Sequence, residues 1–136
     1  MKKLLCIFLA GVSLFGAQLK VKVSNILNNN GNIQIGLYNN PDEFAKPDVV
    51  AYRGKVVKAD TNGVEAVFEE LPEGVYGVSI FHDENANKKL DTNFFGIPAE
   101  GYGFSNNHRP MFRGANFEES KFDFSEDKAI EIKMGY

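Results

Sequence analysis

The chain has 136 residues, a formal net charge of −3 and one cysteine. That length suits one domain, and a lone cysteine excludes an internal disulfide framework. An acidic balance with no cluster of Lys or Arg argues against nucleic acid as a partner, because phosphate neutralisation needs grouped cations.

Met1, Lys2 and Lys3 form a short basic start, and the apolar run 4–17, LLCIFLAGVSLFGA, follows. A bilayer span needs about 20 such residues, so basic start, short apolar core and the small pair Gly16-Ala17 read as a secretory signal peptide over 1–17. Phe15 is larger than the residue usual three places before a cut, which leaves an uncleaved anchor as the alternative. Cys6 lies near the start of the run, not after it where a lipid-bearing cysteine would stand, and leaves with the peptide. Residues 18–136 then form a single β-sandwich domain. Losing Lys2 and Lys3 leaves 13 basic against 18 acidic residues, or −5. No second apolar span follows, so the expected product is soluble, with no membrane span after cleavage, in a bacterial periplasm or outside the cell.

From there the apolar period is two. Leu19, Val21 and Val23 alternate with Lys20, Lys22 and Ser24; Asn29-Asn30-Gly31-Asn32 supplies a turn; Ile33, Ile35 and Leu37 resume the alternation. This pair reads as a hairpin. Asn40 and Pro41 suit the cap and first position of one helical turn. Further strands are expected over 52–59, 64–71, 75–81 and 129–134, with Asp60-Thr61-Asn62-Gly63 and Pro72-Glu73-Gly74 as turns. No long helix is expected. Six or seven short strands predict an all-β fold, a single antiparallel sandwich of about seven strands, immunoglobulin- or transthyretin-like, with a long aromatic loop containing Gly and Pro.

After Phe81 the alternation gives way to HDENANKKLD. Asp83, Asn85 and Asn87 occupy positions 1, 3 and 5 of a D-x-N-x-N loop, Lys89 stands at 7 and Asp91 at 9. A calcium ion takes six to eight oxygens from carboxylates, carboxamides and backbone carbonyls, and alternate side chains of a wrapping loop point inward. Asp83, Asn85, Asn87, the Lys89 carbonyl and Asp91 are therefore the expected calcium ligands. Lys88 replaces the glycine of an EF-hand at position 6 and Phe94 its glutamate at 12, so weak affinity is expected, with Glu84, Asn93 or a carbonyl completing the shell. Two other readings stay open: another metal, or a polar turn whose Asp and Asn side chains cap its own amides.

The next stretch, DTNFFGIPAEGYGFSNN, is too aromatic for a solvated loop, and its Gly and Pro residues forbid a helix. Phe94, Phe95, Tyr102, Phe104 and Asn106 are the candidate partner-binding residues, rigid aromatics beside adaptable amides. The alternative is a lid that only closes the sandwich.

LPEGVYGVSIFHDENANKKLD resembles the turn and strand of transthyretin-like and carboxypeptidase-regulatory-like sandwiches, with Leu71 plugging the core and Tyr76, Val78 and Ile80 on one face. FHDENANKKLDTNFFGIPAEGYGFSNN resembles, more specifically, the secreted bacterial family named domain of unknown function 2141, which pairs D-x-N-x-N-x-x-L-D-x-N with G-I-P-x-E-G-Y-G-F-S-N. The match is closest over 83–107 and extends more weakly to 71–74 and to FEESKFDF, 117–124. The resemblance implies export and a sandwich, and no activity.

His82 and His108 are the only histidines, and Ser105 lies three residues from one of them. No G-x-S-x-G elbow accompanies them, and two histidines without a mature cysteine fall short of a zinc set. A histidine at a strand end reads as a hydrogen-bonded surface residue. The sequence thus predicts an exported, non-enzymatic sandwich whose Asp83–Asp91 loop binds calcium and orders an aromatic surface for an envelope protein, peptide or glycan. A structural envelope module without an ion is the first alternative and a hydrolase the second.

Overall fold

The computed structural model describes residues 16–46, 49–89, 100–110 and 113–136. Nearly all of the expected signal peptide, Asp91, Phe94 and Phe95 lie outside the described residues. Among the described residues the elements are β1 (Ala17–Ser24), β2 (Asn32–Tyr38), β3 (Arg53–Lys58), β4 (Val64–Leu71), β5 (Gly74–Asp83), β6 (Tyr102–Phe104), α1 (Phe117–Ser120), β7 (Phe122–Phe124) and β8 (Lys128–Lys133). One sheet has the order β4-β1-β8, the other β3-β2-β5-β6 with β7 on β5.

Period-two alternation builds the core directly, since every second side chain of a strand faces one way. Leu19, Val21 and Val23 of β1 meet Ile33, Ile35 and Leu37 of β2, with Phe68, Val78, Ile80 and Ile132 between them, all at most 2% exposed. Burial of each such side chain stabilises by about 1.5–3 kcal/mol. Leu71, Tyr76, Val78 and Ile80 are buried as their spacing predicts. Tyr76 also closes the Pro72-Glu73-Gly74 turn, its hydroxyl donating to the Pro72 carbonyl at 2.6 Å.

Three expectations need correction. β1 and β2 are not a hairpin. A strand has two edges, and those of β1 are taken by β4 (Val21↔Ala66) and β8 (Val21↔Ile130), those of β2 by β3 and β5 (Ile35↔Lys55, Ile35↔Ile80). Asn25, at φ 63°, turns the chain and Ile26 carries it through the core to the other sheet. Nor is every pairing antiparallel: β1 and β8 run parallel.

The 40–45 segment is a turn and not a helix. Its Asn40 side chain nevertheless accepts from the Asp42 amide at 2.9 Å. Phe44 from this turn and Phe117 from α1 cover the outer face of the five-stranded sheet. They pack edge-to-face at 5.7 Å, over Gly77 and against Phe104. A Cβ at Gly77 would stand 2.9 Å from the Phe44 ring, so the glycine makes room for this second, aromatic cluster. Among the described residues no helix is long and apolar enough to cross a membrane.

Candidate functional site

The loop beginning at Asp83 leaves the end of β5 and is organised by that one carboxylate. Asp83 is 0% exposed. Its Oδ1 accepts from the Asn87 amide at 3.1 Å and its Oδ2 from the Lys88 amide at 2.7 Å, with the Gln34 carboxamide at 3.4 Å. The next two oxygen-bearing side chains act alike: Asn85 Oδ1 accepts from the Asn87 amide at 3.3 Å, and Asn87 Oδ1 from the Lys89 amide at 2.9 Å. Ala86 and Lys88 take φ of 55° and 66°, left-handed values that wrap the chain back on itself.

The surroundings fix the mouth of this loop. Glu84 donates its amide to the Glu100 carboxylate at 2.8 Å and accepts from the Asn28 side chain at 3.1 Å. Gly31, at φ +64°, lies so close to β5 that a Cβ would stand 1.9 Å from the Asp83 carbonyl oxygen. No side chain is possible there. Glu100, only 8% exposed, is a loop carboxylate that spacing arguments missed, because its partner lies 16 residues away.

His82 is not the surface residue its strand-end position suggests: it is 0% exposed. Nε2 is 2.7 Å from the Asn30 carbonyl and Nδ1 is 2.7 Å from the Tyr136 hydroxyl. A carbonyl only accepts, so Nε2 carries the proton, Nδ1 accepts, and Tyr136 donates. The Tyr136 oxygen in turn accepts from the Leu27 amide at 3.0 Å. One imidazole thus ties β5 to the 25–31 connection and to the C-terminal residue.

The remaining predicted residues divide. Tyr102 is half-buried, with the Arg109 guanidinium 3.8 Å over its ring. Phe104 is 7% exposed inside the aromatic cluster. Asn106, at φ 66°, donates to the Glu119 and Lys121 carbonyls at 3.1 and 2.9 Å, satisfying acceptors around the end of α1. Ser105 is 1% exposed, accepting from the Val78 amide at 2.9 Å and donating to the Ser120 carbonyl at 2.6 Å. That hydroxyl is a bracket between elements. His108 sits 3.1 Å from Glu119, whose carboxyl is held down at about 2 from the usual 4.5, first by the hydrogen-bonded Arg113 guanidinium and then by its bond to the Asn116 amide. Asn116 and Glu119 form a reciprocal capping box on α1, a signal readable in Asn116-x-x-Glu119.

The described part of the loop offers oxygen donors of two carboxylates, Asp83 and Glu84, two carboxamides and the carbonyls between them. That set fits a hard cation in kind. Among the described residues no three His, Cys, Asp or Glu side chains converge as a metal group. The second carboxylate expected by spacing, Asp91, is outside them.

The family described as an uncharacterized protein conserved in bacteria, DUF2141, matches residues 21–133. The chain belongs to that family. The match takes in both sheets, the Asp83 loop and the return through Phe104, so the residues described above are those of a DUF2141 domain. No curated protein matches the chain. A solved structure of a pilus-presented adhesin, Spy0125 (Cpa), is similar at 12% identity with a TM-score of 0.36. That similarity covers 87% of this chain and 26% of the adhesin, so the chain spans about a quarter of its length.

Proposed function

We propose that this DUF2141 domain is an exported, non-enzymatic β-sandwich in which the Asp83 loop binds Ca²⁺, through Asp83, Asn85, Asn87, the Lys89 carbonyl and Asp91. The bound ion would order the chain onward to Asn107 for contact with an envelope protein, peptide or glycan. The observation that carries the reading is the fully buried Asp83 carboxylate at the head of a left-handed wrap, with Asn85 and Asn87 at alternate positions behind it. A buried carboxylate is costly unless several donors or an ion neutralise it. Two certain formal charges place the affinity in the micromolar-to-millimolar range of extracellular sites.

One observation favours the alternative of an ion-free structural module. The same oxygens already accept the amides of Asn87, Lys88 and Lys89, so the turn is capped without a metal. Thermal unfolding of chelator-stripped protein separates the two. Native-state binding raises stability by about 2.7 kcal/mol at a free ion concentration of 100 times Kd. A rising midpoint in wild type that is absent in Asp83→Ala and Asp91→Ala supports the cation site. A midpoint indifferent to Ca²⁺ up to about 10 mM, well above such affinities, assigns the loop to backbone capping alone.

A further inference from the structure

A cavity of about 450 Å³ opens between β6 and the end of β8. Its volume falls within the range of about 300–1,000 Å³ typical of small-molecule sites. Phe104 and Met134, both buried, contribute its apolar wall. His108, Arg109 and Lys133 line it, and no carboxylate among the described residues does, in a chain whose formal charge is −3.

Arg109 is held in place before any ligand arrives. Its Nη1 donates to the Tyr102 carbonyl at 2.7 Å while the guanidinium stacks on the Tyr102 ring at 3.8 Å. Gly135 leaves it room, since a Cβ there would sit 2.4 Å from the guanidinium carbon. A guanidinium has five N–H donors in a rigid fork that matches a carboxylate, and fixing it in advance lowers the ordering cost of binding. His108 is paired with Glu119 at 3.1 Å, so Arg109 and Lys133 carry the charge. Two asparagines on the rim, Asn25 and Asn107, take positive φ, 63° and 53°, a conformation asparagine adopts readily. Side chains hold them there, Asn25 donating to the Met134 carbonyl at 2.7 Å and Asn107 accepting from the Lys133 amide at 2.8 Å.

From this we infer that the cavity binds an organic carboxylate with a compact apolar body, the carboxylate on Arg109 and Lys133 and the body against Phe104 and Met134. The inference is independent of calcium at the Asp83 loop. A free small molecule and the C-terminus of a peptide share this chemistry. The test is ¹⁵N-NMR titration of the full mature domain with N-acetyl-phenylalanine, its uncharged amide, inorganic phosphate, and a pentapeptide ending in Phe with free or amidated terminus.

Saturable shifts of the Gly103, Asn107 and Gly135 amides by the carboxylate, with affinity at least about tenfold weaker for the amide, support the site. Lys133→Gln is expected to weaken binding by about tenfold while leaving the spectrum of the core unchanged, because Lys133 is exposed. A tighter free-terminus pentapeptide identifies a chain end as the source, and a tighter N-acetyl amino acid a free metabolite. Equal affinity for the amide, tighter binding of phosphate, no saturation by about 10 mM, or indifference to Lys133→Gln overturns the inference.

Discussion

Tyr136→Phe isolates one link in the structure. The substitution keeps the ring that stands edge-on to His82 at 5.9 Å and removes only the hydroxyl between His82 Nδ1 and the Leu27 amide. His82 has no exposure while Tyr136 is 49% exposed, so the loss of the donor leaves a buried acceptor that water reaches only from the Tyr136 side. A buried acceptor left unsatisfied costs about 1–3 kcal/mol. The Leu27 amide is exposed and rehydrates at little cost. The sum is about 2 kcal/mol. Unfolding entropy of about 2.1 cal/mol/K per residue, or about 0.25 kcal/mol/K for residues 18–136, converts that to a midpoint lowered by about 8 °C. Circular dichroism melts of wild type, Tyr136→Phe, His82→Leu and the double variant read the coupling directly, and the cycle should return about 1–2 kcal/mol between the two sites. A Tyr136→Phe midpoint within about 2 °C of wild type, equivalent to about 0.5 kcal/mol, refutes the buried latch. Burial also pushes the Tyr136 phenol above its usual 10, so its share of the stability is full below pH 10 and declines as the pH rises beyond it.

Other expectations are as direct. Asp83→Ala in chelator leaves the Asn87 and Lys88 amides without their acceptor and should destabilise by about 2–4 kcal/mol in urea unfolding; a loss below about 0.5 kcal/mol would show that the loop does not depend on this carboxylate. Gly31→Ala collides with the Asp83 carbonyl and should cost more than about 2 kcal/mol, together with any calcium response, in the same melts. Phe68→Ala, at a 1% exposed position, should lose about 3–5 kcal/mol of stability. Glu119 is held at about 2, so the clasp with Arg113 contributes above the unfolded value of 4.5 and is lost as pH falls through about 2; a side-chain NMR titration of Glu119 with a midpoint near 4.5 would contradict the clasp.

What was legible in the sequence was local. Alternation at 19–23, 33–37 and 64–68 places the strands because a half-buried strand repeats every two residues. It says nothing of which strand lies beside which. The Asn29-Asn30-Gly31 turn therefore suggested a hairpin, while the real partner of Val21 in β8 lies more than a hundred residues on. The Asp83 loop was legible as a spacing of oxygen donors. Its neighbours Glu100 and Tyr136 were not, since they arrive from other elements, 16 and 54 residues from their partners. Burial of His82 follows from the same cause: nothing in Phe81-His82-Asp83 announces that Asn30 and Tyr136 will close over the ring.

The pairing of β1 with β8 has a kinetic consequence. The first strand of the sandwich has its second edge filled by the last, Val21 against Ile130 and Val23 against Ile132. Until β8 is available, β1 presents an open row of amides and carbonyls beside the apolar face of Leu19, Val21 and Val23, a template for foreign strands. Closure across the whole chain makes folding slow relative to locally paired sheets and leaves the incomplete sandwich open to aggregation. Such a chain is best kept unfolded until all of it has been made, a requirement that translocation before folding would meet.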